Sequence, residues 1–251
     1  MALDWSVFCK ETTTGDVIAD CFGSRGDQTY LNWILSAWSW TLTVSLGALL
    51  VALIVGVAVG TLRTLPDRPW LASLGAAWVE LFRDIPLLVQ IFLWYFVIPD
   101  AFPLLKKCSP ALLVIVAIGL FTSARIAEQV RAGIRSLSRG QRHAALALGL
   151  TTAQTYRHVL LPMALRIIIP PLTSEAMNVV KNSSVAFAVS ITELTFFARQ
   201  AGEETAAPIQ MYLAATVLYG LTAFGVNRLM HVIERRARIP GCGSAGAAAV
   251  R

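Results

Sequence analysis

Arg125, Glu128 and Lys181 stand inside long apolar stretches of this sequence, and its candidate chemistry starts there. Carrying a charge into a bilayer is costly, so such residues as a rule line pathways or pair with one another. Arg125 lies toward one end of the apolar run that begins near Pro110, with Glu128 one helical turn later. A guanidinium can hold a carboxylate in a two-pronged grip, which makes Arg125 a candidate ligand for a carboxylate. The structural alternative is an internal Arg125–Glu128 pair. Lys181 interrupts another apolar run beside Asn182, Ser183 and Ser184, whose side chains can satisfy backbone groups where a helix unwinds. A broken helix within the membrane exposes backbone dipoles to a charged ligand; otherwise the Lys181 side chain snorkels to the interface.

Other chemistries lack their residues. The sequence has no G-x-x-x-x-G-K-[ST] phosphate loop and no H-E-x-x-H pair. His143, His158 and His231 lack metal-ligand spacing, so the expectation is no metal site and no nucleotide hydrolysis by this chain. Cys9, Cys21, Cys108 and Cys242 show no C-x-x-C spacing. Cys9 and Cys21 can join if their segment faces an oxidising space, or remain two free thiols.

The surroundings of these charges are those of a membrane protein. Hydrophobic residues make up 56% of the 251 and charged ones 14%, against about 25% charged in an ordinary soluble domain. The net charge of +6 does not indicate nucleic acid, because the basic residues fall between apolar blocks and not along an exposed polar stripe. No signal peptide is expected at the N-terminus: no basic residue precedes Lys10, and a polar stretch follows it.

A spanning helix needs roughly 20 apolar residues, and five candidates are present. The first, about Trp38 to Leu62, lies in the charge-free run from Gln28; the second runs from about Trp78 to Ile98. The third begins near Pro110 and continues past Arg125, the fourth follows Pro170-Pro171, and the fifth occupies roughly Ala206 to Asn227. Cytoplasmic loops are enriched in Lys and Arg. With the N-terminus outside, Arg63, Arg68, Arg131, Arg135, Arg139, Arg142, Arg235 and Arg236 all fall on the cytoplasmic side, and only Lys10, Arg25, Lys106, Lys107 and Arg199 outside. The predicted architecture is therefore all-α, N-out and C-in. An external segment covers residues 1–30, a transmembrane domain 31–239, and a low-complexity, disordered cytoplasmic tail 240–251. Gly56 and Gly60 have the spacing that lets two helices approach closely, although glycine is common in membrane helices in any case.

The one long loop, about 136–166, has structure of its own. Arg131, Arg135 and Arg139 share one face of a helix leaving the membrane. GQRHAALALGL follows, a stretch of helix formers with Gly149 as a C-cap. Thr151 and Gln154 have capping-box spacing for a second short helix through Leu161, which Pro162 halts. Such a pair of small-residue helices suits docking into a partner's groove. The other reading is an amphipathic hairpin on lipid headgroups.

The run GQRHAALALGLTTAQTYRHVLLP, from Gly140 to Pro162, resembles the cytoplasmic EAA loop of binding-protein-dependent ABC importer permeases. The resemblance assigns ATPase coupling to Gly140, His143, Ala144, Ala145, Gly149, Leu161 and Pro162. Where the family usually has an acid before the two alanines, this chain has His143. LFRDIPLLVQIFLWYFVIP, ARIAEQVRAGIRSL and LPMALRIIIPPLTSEAMNVVKNSSVAFAVSITEL are similar to the second, third and fourth spans of polar amino-acid permeases, with FTSARIAEQVRAGI most like the glutamate/aspartate branch. The resemblance implies a type I importer permease in the inner membrane. Its partners would be an ABC ATPase dimer that uses ATP and Mg, a second permease copy or sister permease, an external periplasmic amino-acid-binding protein and membrane lipid. No cofactor would be bound by this chain itself. An acidic amino acid would then meet Arg125, Glu128, Lys181, Asn182, Ser183 and Ser184 along its pathway, Arg125 taking the side-chain carboxylate. A secondary carrier would instead show inverted repeats, and a membrane enzyme would cluster acids or histidines at one depth. Glu80, Asp84, Glu128 and Glu175 are scattered.

Overall fold

Apolar runs of this length leave backbone groups with no partner but one another, and helices are the result. The computed structural model describes residues 4–18, 21, 29–66 and 68–237. The proposed tail from residue 240, with Cys242, lies outside them. The helices are α1 (Tyr30–Leu62), α2 (Pro69–Asp84), α3 (Leu87–Ala101), α4 (Pro110–Ser136), α5 (Arg139–Ala147), α6 (Thr152–Val189), α7 (Leu194–Thr205) and α8 (Pro208–Ala237). Among the described residues there is no strand, only the isolated bridges Lys10–Val17 and Glu11–Thr29. Among the described residues, four helices (α1, α4, α6 and α8) are long and apolar enough to cross a membrane, and α2 with α3 makes a fifth span if the broken pair counts as one.

The chain divides into two compact units. The first comprises residues 1–51, 85–121 and 178–224. Its N-terminal segment opens with a short helix, Trp5–Cys9, capped by Asp4, which accepts from the Ser6 amide at 2.9 Å. Hydrogen bonding from the Ser6 side chain first, and from its amide second, holds the Asp4 carboxyl below its ordinary pKa. Cys9 and Cys21 are joined in a disulfide. Val7 is buried against Tyr30, Ile34, Phe197 and Met211, and Trp33 meets Phe197 edge-on at 5.2 Å between centroids. Glu193 is fully buried and caps α7, accepting from the Thr195 and Phe196 amides at 2.9 Å each and from the Tyr219 hydroxyl. A buried carboxylate is tolerated there because a helix N-terminus presents unpaired N–H groups and favours negative charge. A second apolar cluster of this unit joins Val44, Ile91, Ile118, Val179 and Val189.

The second unit comprises residues 52–84, 122–177 and 225–251. Its core joins Ala52, Ile126, Val130, Tyr156, Leu160 and Ile168. Here the glycine spacing of α1 is used: a Cβ at Gly56 would stand 2.7 Å from Ile126, and one at Gly60 would stand 2.6 Å from the Ala127 carbonyl. Backbone carbonyls cannot retreat as a side chain can. Gly60→Leu is therefore expected to lose folded protein, at a cost of roughly 1–3 kcal/mol or more from overpacking. Detergent-solubilised thermal stability measures it, with Gly225→Leu as the comparison because a Cβ there meets nothing within 4 Å.

Several helix ends differ from the sequence expectation. α1 begins at Tyr30 and not near Trp38, because Tyr30 is anchored to Glu204 and Trp38 donates to Thr222 at 2.8 Å. The second span is not one helix: Pro86 breaks it, and the preceding Ile85 leaves helical geometry as residues before proline tend to. The buried Gln90 amide then donates to the stranded Ile85 carbonyl at 3.0 Å. α4 ends at Ser136, so Arg139 opens a new helix and does not continue the face of Arg131 and Arg135. Pro162 does not halt the loop's second helix, nor do Pro170 and Pro171 mark a start. All three lie within α6. A π-turn, Tyr156–Leu160, accommodates Pro162, with the Leu161 N–H reaching the Tyr156 carbonyl. The same device precedes Pro99, where Leu93–Val97 form a π-turn. Widening the turn absorbs the missing proline donor without ending the helix. α8 runs ten residues beyond Asn227, to Ala237.

Candidate functional site

The charges inside the spans are arranged differently from the simplest sequence reading. In the second unit, Glu128 is held between two arginines. Arg63, the residue after α1, forms a short ion pair with it, and Arg131 lies 2.7 Å away. The arginines paired with Glu128 are Arg63 and Arg131, whereas Arg125 pairs with Glu175 on α6, at 3.8 Å, where Gln129 also donates at 3.4 Å. Arg63 comes from the end of α1, where no spacing along α4 would reveal it, and it outcompetes Arg125 for Glu128. The Arg125–Glu175 contact is longer than a charge-assisted hydrogen bond, 2.7–2.9 Å. The Arg125 side chain is 42% exposed against 11% for Glu175.

Lys181, Asn182, Ser183 and Ser184 belong to the first unit, apart from Arg125 and Glu128. The expected unwinding at Lys181 does not occur. The α-helical part of α6 persists to Asn182 and then tightens into a 3-10 stretch, Ser183–Val189, before Ser190 turns left-handed at φ 58°. The serine hydroxyls explain the tightening. Ser183 donates to the Val180 carbonyl and Ser184 to the Lys181 carbonyl, each at 2.7 Å and three residues back. Ser183 is fully buried, Asn182 and Ser184 are partly buried, and Lys181 is exposed.

The loop is close to the sequence reading. α5 ends in a glycine cap: Gly149 has φ +83°, its N–H donates to the Leu146 carbonyl and the Leu150 N–H reaches back to Ala145. This is the paired closure that a left-handed glycine allows. Thr151 and Gln154 form a reciprocal capping box. Gly140, His143, Ala144 and Gly149 are exposed, Ala145 is buried, Leu161 is half-buried and Pro162 exposed. Leu148 is 83% exposed. A Cβ added at Gly149 would meet nothing within 4 Å, so Leu148 and Gly149 together present an exposed apolar surface.

Sequence reasoning missed three residues of this region: Arg63 on Glu128, Glu175 beside Arg125, and Tyr156, whose hydroxyl donates to the Thr64 carbonyl at 2.6 Å. Glu175 carried a signal, an acid in an apolar run, but its partner is far away in sequence.

Several helices long and apolar enough to cross a membrane, with a loop that carries its own short helix and glycine cap, define a class: a multi-pass membrane protein. The particular family follows from comparison. The profile of the binding-protein-dependent transport system inner membrane component family matches residues 52–239, and the chain belongs to that family. It is 40% identical over 253 residues to the glutamate/aspartate import permease protein GltJ of Escherichia coli (strain K12), covering 96% of this chain and 98% of the relative. It is 37% identical over 196 residues to the probable glutamine ABC transporter permease protein GlnM of Bacillus subtilis (strain 168), covering 78% and 89%. Among solved structures, a crystal structure of an amino acid ABC transporter with histidines aligns with TM-score 0.70 and 26% identity, over 82% of this chain and 95% of that one. The chain is thus a multi-pass inner-membrane transport permease, and neither a secondary carrier nor an enzyme.

Proposed function

We propose that this chain is the permease subunit of an ATP-binding-cassette importer that carries glutamate and aspartate across the cytoplasmic membrane. The observation that carries the reading is the 40% identity, along almost the whole chain, to a relative named as a glutamate/aspartate import permease. The exposed loop from α5 through Gly149 to the start of α6 supports coupling to a separate ATPase dimer, which uses ATP and Mg. A second permease copy or sister permease completes the pathway, and an external binding protein delivers the amino acid. Arg125, partly exposed, is the candidate for the side-chain carboxylate. The test is uptake of radiolabelled glutamate by the complex reconstituted with its ATPase and binding protein, with aspartate and glutamine as competitors. Glutamate uptake blocked by aspartate and not by glutamine is expected. Transport of glutamine alone would remove the acidic-substrate reading.

The proposed orientation is N-out, C-in, from the Lys/Arg asymmetry. The Cys9–Cys21 disulfide supports it, since such bonds persist in oxidising spaces. Single cysteines at Gly15 and Asp100 should react with an impermeant thiol reagent in intact cells. Those at Arg68, Gln154 and Ala248 should react only after lysis, in a background without Cys9, Cys21, Cys108 and Cys242. Labelling of Ala248→Cys in intact cells would reverse the assignment.

A further inference from the structure

The second unit contains a cavity of about 670 Å³ lined by the ends of α1 and α4 and by the first turn of α5, the helix that the transport reading gives to ATPase coupling. Arg63, Arg135, Arg139 and Arg142 line it, and among the described residues no acid does. Asp67, on the same connection between α1 and α2, lies outside the described residues. Of the four guanidiniums, Arg63 is matched by Glu128, which Arg131 already shares. The neighbourhood therefore holds a surplus of positive charge around low-dielectric walls, and an anion would relieve its self-repulsion.

The position of the cavity says which anion. Arg63 follows Leu62, the last residue of α1, and Arg135 is in the last turn of α4. Both helices are long apolar spans, so their ends stand at the level of lipid headgroups. α2 supplies Pro69 and Ala72 to the cavity wall, and beside them exposes Trp70 at 56% and Leu74 at 61%. A free anion has no use for that apolar flank, whereas acyl chains do. Arginines favour phosphate because the planar fork matches its oxygens. We propose that this cavity binds the phosphate headgroup of an anionic phospholipid, with its acyl chains along the exposed side of α2.

Native mass spectrometry of the purified complex, titrated with phosphatidylglycerol and with phosphatidylcholine of the same acyl chains, tests this. Whichever solute is carried, the readout is bound lipid, so a failed uptake assay leaves the proposal untouched. Preferential phosphatidylglycerol binding is expected, weakened about fivefold for each arginine removed in Arg135→Gln with Arg139→Gln. Arg135→Lys with Arg139→Lys should retain most of it. Arg199→Gln with Lys107→Gln, an equal loss of two charges outside the cavity, should retain all of it. Equimolar inorganic phosphate should not displace the lipid. Equal binding of the two lipids by the unaltered complex would overturn the proposal, as would displacement by phosphate, which would mark a small-anion site. Loss of the ATPase subunit from the glutamine variant at unchanged lipid preference would also overturn it, assigning the cavity to acidic residues of the ATPase. Should the glutamine variant fail to assemble, a salt series on the unaltered complex decides. The preference should fall as salt screens the charges, and indifference to salt overturns the site.

Discussion

Gly149→Asp is expected to leave the permease inserted and folded while abolishing both ATPase assembly and uptake. Within the chain the substitution meets little. A Cβ at this position has nothing within 4 Å, and the left-handed φ of +83° costs a non-glycine residue about 1–2 kcal/mol, less for Asp and Asn. The large effect is expected from the partner. A carboxylate pressed into a docked interface without a counter-charge is penalised by several kcal/mol, a loss well beyond tenfold in association. Gly149→Asn separates the two contributions, since it tolerates the same backbone but carries no charge, and should retain a substantial part of assembly. Co-purification of the ATPase and stimulated ATP hydrolysis are the measurements. Normal assembly of Gly149→Asp with normal uptake would show that this turn is not at the ATPase contact.

Arg125→Met is expected to reduce glutamate and aspartate uptake by tenfold or more with assembly intact, because removing one partner of a charged contact that the bound substrate buries costs roughly 2–5 kcal/mol. Arg125→Lys should also be impaired, since an ammonium does not reproduce the two-pronged grip. The control must address Glu175, which lies 3.8 Å from Arg125, and not Glu128, which Arg63 and Arg131 hold. If Arg125 only neutralises Glu175, the double change Arg125→Met with Glu175→Gln restores uptake, because no uncompensated charge remains. If it grips the substrate, the double variant stays as impaired as the single one. Initial rates with radiolabelled glutamate decide between the two. Glu128→Gln serves as a separate probe. It leaves Arg63 and Arg131 uncompensated and should lower thermal stability more than it changes substrate preference.

The features legible in the sequence are those set by local physics. Runs of apolar residues require helices, so the all-α membrane architecture, the third span from Pro110 and the approximate place of the others follow from composition and length alone. The loop is the clearest case: a helix-forming stretch, a glycine able to turn left-handed and a Thr–Gln capping pair lie within fifteen residues, and their hydrogen bonds close among neighbours. The Gly56–Gly60 spacing likewise announced a close approach, though its partner helix, α4, did not follow from it.

What the tertiary structure decided are the pairings between distant segments and the fate of the prolines. Glu128 sits one turn from Arg125 in the sequence, yet Arg63, 65 residues earlier, captures it because α1 ends beside α4. Glu175 reaches Arg125 across 50 positions for the same kind of reason, the packing of α6. Pro162 looks like a stop on sequence rules, yet neighbouring packing of Tyr156, Leu160 and Ala164 holds the helix together and a π-turn takes up the missing donor. At Pro86 the outcome is the opposite, a true break, with the Gln90 side chain satisfying the carbonyl left open. A proline's local chemistry is the same at both sites. Which response is cheaper depends on what side chains are available to pack or to hydrogen-bond there, and only the folded chain brings those together.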